Sequence, residues 1–314
     1  MNTIQQQSPR VNADLYRSCV ACGSCAIKYW RSKSYAYSSD KHGTSFDIYR
    51  CHECGSGFLN PPPTDEVLAE IYRHSGQALR APVDPRRIIE REERFPNSTV
   101  DARRIVATAR SLTKAGTGNA LDIGSGYGFY TKQLIDSGYN TTSINPGEYE
   151  NRVFREICGC EPLPIYFEDF STTQQFDVVL MSQVLEHMKS PSQALCRIAG
   201  VLAEGGVFAC AVPNFRSFSV SMRGVRDNGC LWVPEHVNYF TVAGLRSLVE
   251  SAGLRVVHHE YVTRIPNHRV LHCLGLPAND LLLRCFEIGT SPFLWLADRL
   301  GYGICINLYA VKER

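Results

Sequence analysis

Apolar residues change their period along this chain, and the changes fall at glycines and prolines. Arg86 to Arg94 and Thr99 to Thr113 carry helical period. In the second stretch Val100, Ile105, Val106, Ala109 and Leu112 recur on one side, and the Arg and Glu residues of both stretches form a solvated face. Beyond Lys114 to Asn119 the pattern shortens. Ala120-Leu-Asp-Ile123 is a compact apolar run, Phe129 to Ser137 is helical, Asn140 to Ile144 extended and Glu150 to Ile157 helical again. Leu163 to Phe167 predicts a short third strand, Phe176 to Ser182 a buried fourth, Pro191 to Leu202 a helix and Val207 to Val212 a fifth strand. Thr241 is placed to cap a helix that Gly253 closes, and Arg255 to Thr263 and Gly303 to Val311 are the remaining strands. Strand and helix in alternation predict a doubly wound α/β sheet over residues 118 to 314, with residues 266 to 302 an apolar insertion.

The N-terminal part differs. Residues 1 to 14 are polar and read as a disordered tail, residues 15 to 60 hold clustered cysteines, and Asn60-Pro-Pro-Pro-Thr64 ends that segment. Thr64 or Asp65 can cap a helix to about His74, and Gly76 to Pro85 reads as a linker, so residues 61 to 117 form a helical linker or cap. No charged and apolar leader opens the chain, and no run of eighteen apolar residues would span a membrane. The 13 cysteines therefore read as reduced thiols of a cytoplasmic protein, and the clustered ones as metal ligands. A formal net charge of +2 gives no whole-chain field toward nucleic acid or an anionic membrane.

Cys19-Val-Ala-Cys22-Gly and Cys51-His-Glu-Cys54-Gly are two knuckles of one pattern. Four thiolates from two such turns make a closed tetrahedral site suited to structural Zn²⁺, with an iron–sulfur cluster as the other occupant. So small a module has little core, and the metal would supply folding energy. Cys22 and Cys25 form an alternative first pair; Cys19 and Cys22 repeat the trailing glycine of the second. His52 lies inside the second knuckle and is less suited to ligate.

Ala120 to Ile123 runs into Gly124-Ser-Gly126-Tyr127-Gly128 and then a helix. A strand ending in a glycine turn at a helix N-terminus is the cofactor crevice of an open α/β sheet. The third glycine of a dinucleotide fingerprint would fall at Phe129. LDIGSGYG instead resembles motif I of the class I S-adenosylmethionine (SAM) methyltransferases. Phe176-Asp-Val-Val with Gln183-Val-Leu-Glu186-His187 resembles that family's fourth strand and its sequel, and Leu202 to Gly206 its L-x-P-G-G turn, with Glu204 in place of proline. The resemblance implies a Rossmann-like seven-stranded sheet whose last two strands pair antiparallel. It also implies SAM binding by Asp122, Gly124, Gly126, Tyr127, Gly128, Asn145, Asp169 and Gln183. Asn145 stands where the family usually carries the acid that bonds the ribose hydroxyls, and Glu148 is a substitute for it. Asp169 matches the acid that bonds the adenine amino group.

Pro234-Glu235-His236-Val-Asn-Tyr239-Phe240-Thr241 resembles the E-H-x-x-Y-[FL]-[ST] segment of sugar C-methyltransferases, which also start with a zinc-binding cysteine domain, and more loosely of O-methyltransferases of surface sugars and secondary metabolites. Val233 replaces the tyrosine usual there. The resemblance implies a small-molecule acceptor, with Glu235, His236, Tyr239 and His187 as the catalytic set and His236 as the proton acceptor. Glu186 is expected to pack against the glycine turn, and Asn214 to face the same crevice. The insertion would cover the site or form a homodimer surface. Two other readings stand beside this one. A zinc-ribbon RNA methyltransferase would use Arg17, Lys28, Tyr29, Trp30, Arg31, Lys33 and Lys41. A non-catalytic binding protein would carry Asn145 as the mark of a degenerate cofactor site.

Overall fold

A computed structural model describes residues 15–34, 45–68, 84–113, 116–227, 229–263 and 280–313. The polar tail, most of the linker, the later part of the helix from Asp65 and the first part of the insertion lie outside these residues.

The large sheet has six strands in the order β5-β4-β6-β7-β10-β9, comprising β4 (Asn119–Ile123), β5 (Asn140–Ile144), β6 (Phe176–Ser182), β7 (Leu202–Pro213), β9 (Leu254–Val262) and β10 (Cys305–Lys312). β4, β5, β6 and β7 pair in parallel, while β10 is antiparallel to both of its neighbours. The predicted third strand is reduced to one parallel bridge between Ile144 and Leu163, so seven expected strands become six. The cause is local. Pro164 has no N–H to extend the ladder, Ile165 N–H turns back to Leu163 O, and Phe167–Asp169 winds into a 3-10 turn.

Both faces of this sheet are covered. Helix α2 (Ser98–Leu112) turns Ile105, Val106 and Ala109 onto Ala120, Val178, Leu180 and Tyr309. On the other face, Leu195 and Ile198 of α5 (Pro191–Val201) and Leu245 and Leu248 of α7 (Val242–Ser251) join Leu121, Val179, Met181 and Phe208. Alternate residues of one strand thus enter opposite layers, as a sheet buried on both sides requires. Helix α1 (Pro85–Arg94) precedes α2; Asp84 accepts from Arg86 N–H at its N-terminus. Helices α3 (Phe129–Asp136) and α4 (Glu148–Cys158) follow β4 and β5.

A second sheet orders β1 (Ile27–Ser34), β2 (Ser45–Cys51), β3 (Gly57–Leu59) and β8 (Asn238–Tyr239), all antiparallel. Its fourth strand comes from the loop after β7, so the cysteine segment is stitched to the large sheet's own loop. The small core formed by Ile48, Leu59, Phe215, Leu231, Val233 and Tyr239 mixes residues of both. In the insertion, α8 (Asp280–Arg299) exposes Ile288, Phe293, Trp295 and Leu296. Among the described residues no helix is long and apolar enough to cross a membrane.

Candidate functional site

The turn after β4 holds three glycines in left-handed conformation, with φ of +70° at Gly124, +52° at Gly126 and +89° at Gly128. They serve different ends. A Cβ on Gly124 would lie 2.3 Å from Val184 Cγ2, and one on Gly128 would lie 2.7 Å from Phe154 and Cys158. At Gly126 no heavy atom stands within 4 Å of that position. Two glycines therefore admit protein neighbours, and the middle one leaves its space open to a ligand. Gly124 N–H and Ser125 N–H both donate to Ile144 O, which pins the turn to β5.

A cleft of about 320 Å³ opens at this turn. It is lined by Gly124 to Tyr127, by Ser182 and Gln183 at the end of β6, and by Asn97, Ser98 and Asp101 at the start of α2. Cys305 and Asn307 of β10 close it from the antiparallel edge. Gln183 is the one described non-glycine residue with positive φ, at 57°, a sparsely populated conformation at the strand end beside the cleft.

Asp122 sits behind the turn. Its carboxylate accepts from Thr131 Oγ1 at 2.6 Å, Thr131 contacts Ser143 Oγ at 2.9 Å, and complete burial pushes its pKa up to about 7. Asn145 is equally engaged. Its Oδ1 accepts from Gly126 N–H at 3.3 Å, and its Nδ2 donates to Asn151 Oδ1 at 2.7 Å and to Gly147 O. An aspartate could not donate to these two oxygens, so the amide suits the brace that it forms.

The second constellation lies beyond Gln183. The 3-10 turn Leu185–His187 carries Glu186 and His187, and the loop before β8 carries Glu235 and His236. Val237 N–H donates to Glu186 O at 2.9 Å and Asn238 Nδ2 to Met188 O at 2.7 Å, which ties the two segments together. The imidazoles of His187 and His236 meet edge to face, with ring centroids 4.7 Å apart. His187 Nδ1–H donates to Glu235 O and His236 Nδ1–H to Cys230 O, each at 2.8 Å. Carbonyl oxygens only accept, so the lone pair of each neutral ring is on Nε2. Burial, with the facing His236 as a lesser cause, lowers the pKa of His187 to about 3; burial also lowers that of His236. The Glu186 carboxylate is completely buried and makes no hydrogen bond to another residue, and its pKa is raised to about 8.

The four knuckle cysteines converge. Cys19 and Cys54 sulfurs are 3.7 Å apart, and Cys22 and Cys51 sulfurs 3.6 Å. A tetrahedron with Zn–S bonds of about 2.3 Å has edges of about 3.8 Å, which these two distances match, and all four sulfurs lie within 4.8 Å of one another. Gly23 and Gly55 follow the knuckles at φ of +73° and +76°, and their N–H groups donate to Cys19 O and Cys51 O. Cys25 is exposed and outside the cluster. Thr241 joins this cluster to α7: its Oγ1 donates to Cys54 O at 2.6 Å and accepts from Gly244 N–H.

A family model described as a methyltransferase domain matches residues 93–259, which is 167 of the 314 positions. The chain belongs to this methyltransferase family. Ubiquinone biosynthesis O-methyltransferases are among the relatives of this methyltransferase domain. That of Methylobacterium nodulans is 28% identical over 149 residues, covering 44% of this chain and 59% of that protein. That of Paramagnetospirillum magneticum is 32% identical over 99 residues, covering 30% and 40%. The chain thus spans less than two thirds of the length of either. Among solved structures, the 1,6-didemethyltoxoflavin-N1-methyltransferase of Burkholderia thailandensis, with bound 1,6-didemethyltoxoflavin and S-adenosylhomocysteine, has a TM-score of 0.50 at 15% identity, covering 88% of this chain and 99% of that one. At that identity the likeness bears on the fold alone.

Within the methyltransferase domain the expected residues divide. Gly124, Gly126, Tyr127 and Gln183 line the cleft. Asp122, Gly128 and Asn145 shape the turn from behind, and Asp169 is exposed on the 3-10 turn that replaces the third strand. Glu148 pairs with Arg152 on the surface of α4. Asn214 is completely buried and braces the start of β10 through Gly301 O and Gly303 O. His187 and His236 come together with Glu235 beside them, whereas Tyr239 is buried against Phe215 in β8. The residues that sequence reasoning passed over are Asn97, Ser98, Asp101, Cys305 and Asn307. They carry no motif, and only the sheet order brings them to the glycine turn.

Proposed function

We propose that this chain transfers a methyl group from SAM to a small-molecule acceptor, a sugar or secondary-metabolite intermediate methylated on oxygen or carbon. The single observation that carries the reading is the open position over Gly126 in a cleft at the end of β4. Gly124 to Tyr127 would hold the amino-acid end of SAM, and Gln183 and the start of α2 would flank it. Bound there, SAM supplies an electrophilic sulfonium methyl; the protein need only align the acceptor and remove its proton.

That second task falls to the His187–His236 pair. Both rings are neutral at pH 7, both are fixed through Nδ1, and His236 Nε2 is the proton acceptor in this scheme. Glu235 stands beside them with its pKa raised by burial. The relatives named as O-methyltransferases of ubiquinone biosynthesis agree with a small acceptor. In the ribbon Lys33 donates to Asp227 O and Trp30 packs on Phe215, while Arg17, Lys28, Tyr29 and Arg31 stay exposed, so an RNA-binding assay on the ribbon tests the rival acceptor class.

Calorimetry with S-adenosylhomocysteine tests the cofactor half, and a methylation screen over hydroxylated metabolites and nucleotide sugars tests the acceptor half. Complete absence of cofactor affinity in zinc-replete protein would sink the reading.

A further inference from the structure

We propose that Glu186, His187 and His236 form a second metal site, one that takes a divalent first-row cation through nitrogen and oxygen ligands and is chemically distinct from the four-cysteine cluster. One ligand atom of each of the three residues lies within 4.8 Å of the other two. Cis ligands of an octahedral cation with bonds of about 2.1 Å are about 3 Å apart, and at most one of the three pairs can be trans at about 4.2 Å, so the groups draw together by at most about 2 Å to share an ion.

Three features beyond proximity point to a ligand. The Glu186 carboxylate is fully buried, and neither oxygen bonds another residue, although a buried carboxylate is costly without a partner. Each imidazole gives its Nδ1–H to a backbone carbonyl, Glu235 O for one and Cys230 O for the other. Metal-binding histidines are oriented in this way, with the second nitrogen left as the ligand. The segments that bear the three groups are cross-tied by Val237 N–H to Glu186 O and by Asn238 Nδ2 to Met188 O, so they are held side by side before any ion enters.

Two imidazoles and one carboxylate suit Mn²⁺, Fe²⁺, Co²⁺ or Zn²⁺, whereas the four thiolates of the ribbon select zinc or iron–sulfur chemistry. Three protein ligands leave coordination positions for water or an acceptor oxygen. With the site filled, His236 Nε2 is a ligand instead of a base, and the cation itself makes a bound hydroxyl more acidic. This assignment of role rests on the methyl-transfer reading; the binding of the cation does not.

The test uses full-length protein with its cysteine cluster filled by zinc, titrated with Mn²⁺ in the absence of SAM and followed by electron paramagnetic resonance. One Mn²⁺ per chain is expected, at micromolar affinity, with binding weakened at least tenfold in Glu186→Gln and in His236→Asn. Nuclear magnetic resonance of the wild type adds a readout that needs no variant: Mn²⁺ should broaden the ring signals of His187 and His236 before those of His258 and His259. Absence of a saturable Mn²⁺ site, unbroadened His187 and His236 signals, or folded variants that bind as the wild type does would each overturn the proposal. Neither SAM nor turnover enters the measurement. A failed cation titration therefore leaves the methyl-transfer reading standing, and a failed cofactor titration leaves the cation site standing.

Discussion

The four-cysteine cluster and the Glu186–His187–His236 cluster are both small groups of ligating side chains, yet they are built by different routes. In the ribbon each half is a local turn: the C-x-x-C-G spacing makes the knuckle, a left-handed glycine closes it, and one strand pairing brings two halves to sulfur distances of 3.6 and 3.7 Å. In the second cluster neither half is a motif for a metal. A 3-10 turn after β6 and a loop before β8 meet because β8 adds to the ribbon's sheet, through Gly57 opposite Tyr239 and Phe58 opposite Asn238. The first cluster therefore fixes a fold locally, and the second depends on that fold being in place. Loss of the ribbon should disturb the loop that carries His236, while loss of the imidazoles should leave the ribbon intact.

The largest expected effect is on that dependence. Cys51→Ser should lose metal and soluble yield and reduce methyl transfer at least a hundredfold, because β2 and β3 no longer hold β8. Metal analysis with thiol quantitation reads the first part, and full metal content in the variant would refute the ligand assignment. His236→Asn should instead keep its zinc and its melting temperature within a few degrees while turnover falls tenfold or more. Equal loss of zinc in both variants would erase the distinction between the two clusters.

The glycine turn allows a second contrast of the same kind. Gly126→Val should weaken S-adenosylhomocysteine binding at least a hundredfold by filling the open position, with a conformational cost above the roughly 1–2 kcal/mol of an unbranched residue because valine is β-branched at a positive φ. Gly124→Ala should act the other way, lowering stability more than affinity, because its Cβ would run into Val184. Calorimetry and thermal melts on both variants separate the outcomes; unchanged affinity in Gly126→Val would move the cofactor elsewhere.

Smaller effects test the surroundings. Asp122 has its pKa raised by burial to about 7, above the ordinary carboxylate value, so the folded state holds this proton more tightly than the unfolded chain. Its contribution to stability is full below about pH 4 and is lost as pH rises toward 7. Asp122→Asn keeps an acceptor for Thr131 and should flatten that part of the stability curve in denaturant titrations. The difference amounts to a few kcal/mol at about 1.4 kcal/mol per pH unit. Parallel curves for the two proteins would contradict the assignment. Thr241→Val should cost about 1–2 kcal/mol, since it removes the α7 cap and the hydroxyl donated to Cys54 O. Its zinc content is expected to stay unchanged.

Much of this was legible in the amino-acid sequence, for reasons that are local. The one-sided pattern of Ile105, Val106 and Ala109 set the buried face of α2, the apolar runs set β4, β6 and β7, and the knuckles named four of the five clustered cysteines as one group. Leu163 to Phe167 went wrong for a local reason too, because Pro164 stops a ladder that the apolar pattern had favoured.

What the sequence by itself determined is whatever depends on neighbours a few positions apart: helical and extended periods, glycines that permit left-handed turns, and cysteine pairs spaced to bend round an ion. Tertiary structure alone decided that β8 completes the ribbon, that Asn145 serves the glycine turn as a brace, that Asn97 and Asn307 face the same cleft, and that Glu186 stands buried and unpaired beside two imidazoles. These outcomes depend on which distant segments the sheets bring together. Side-chain type and spacing carry no record of a partner that lies far along the chain and is reached only when the sheets are assembled.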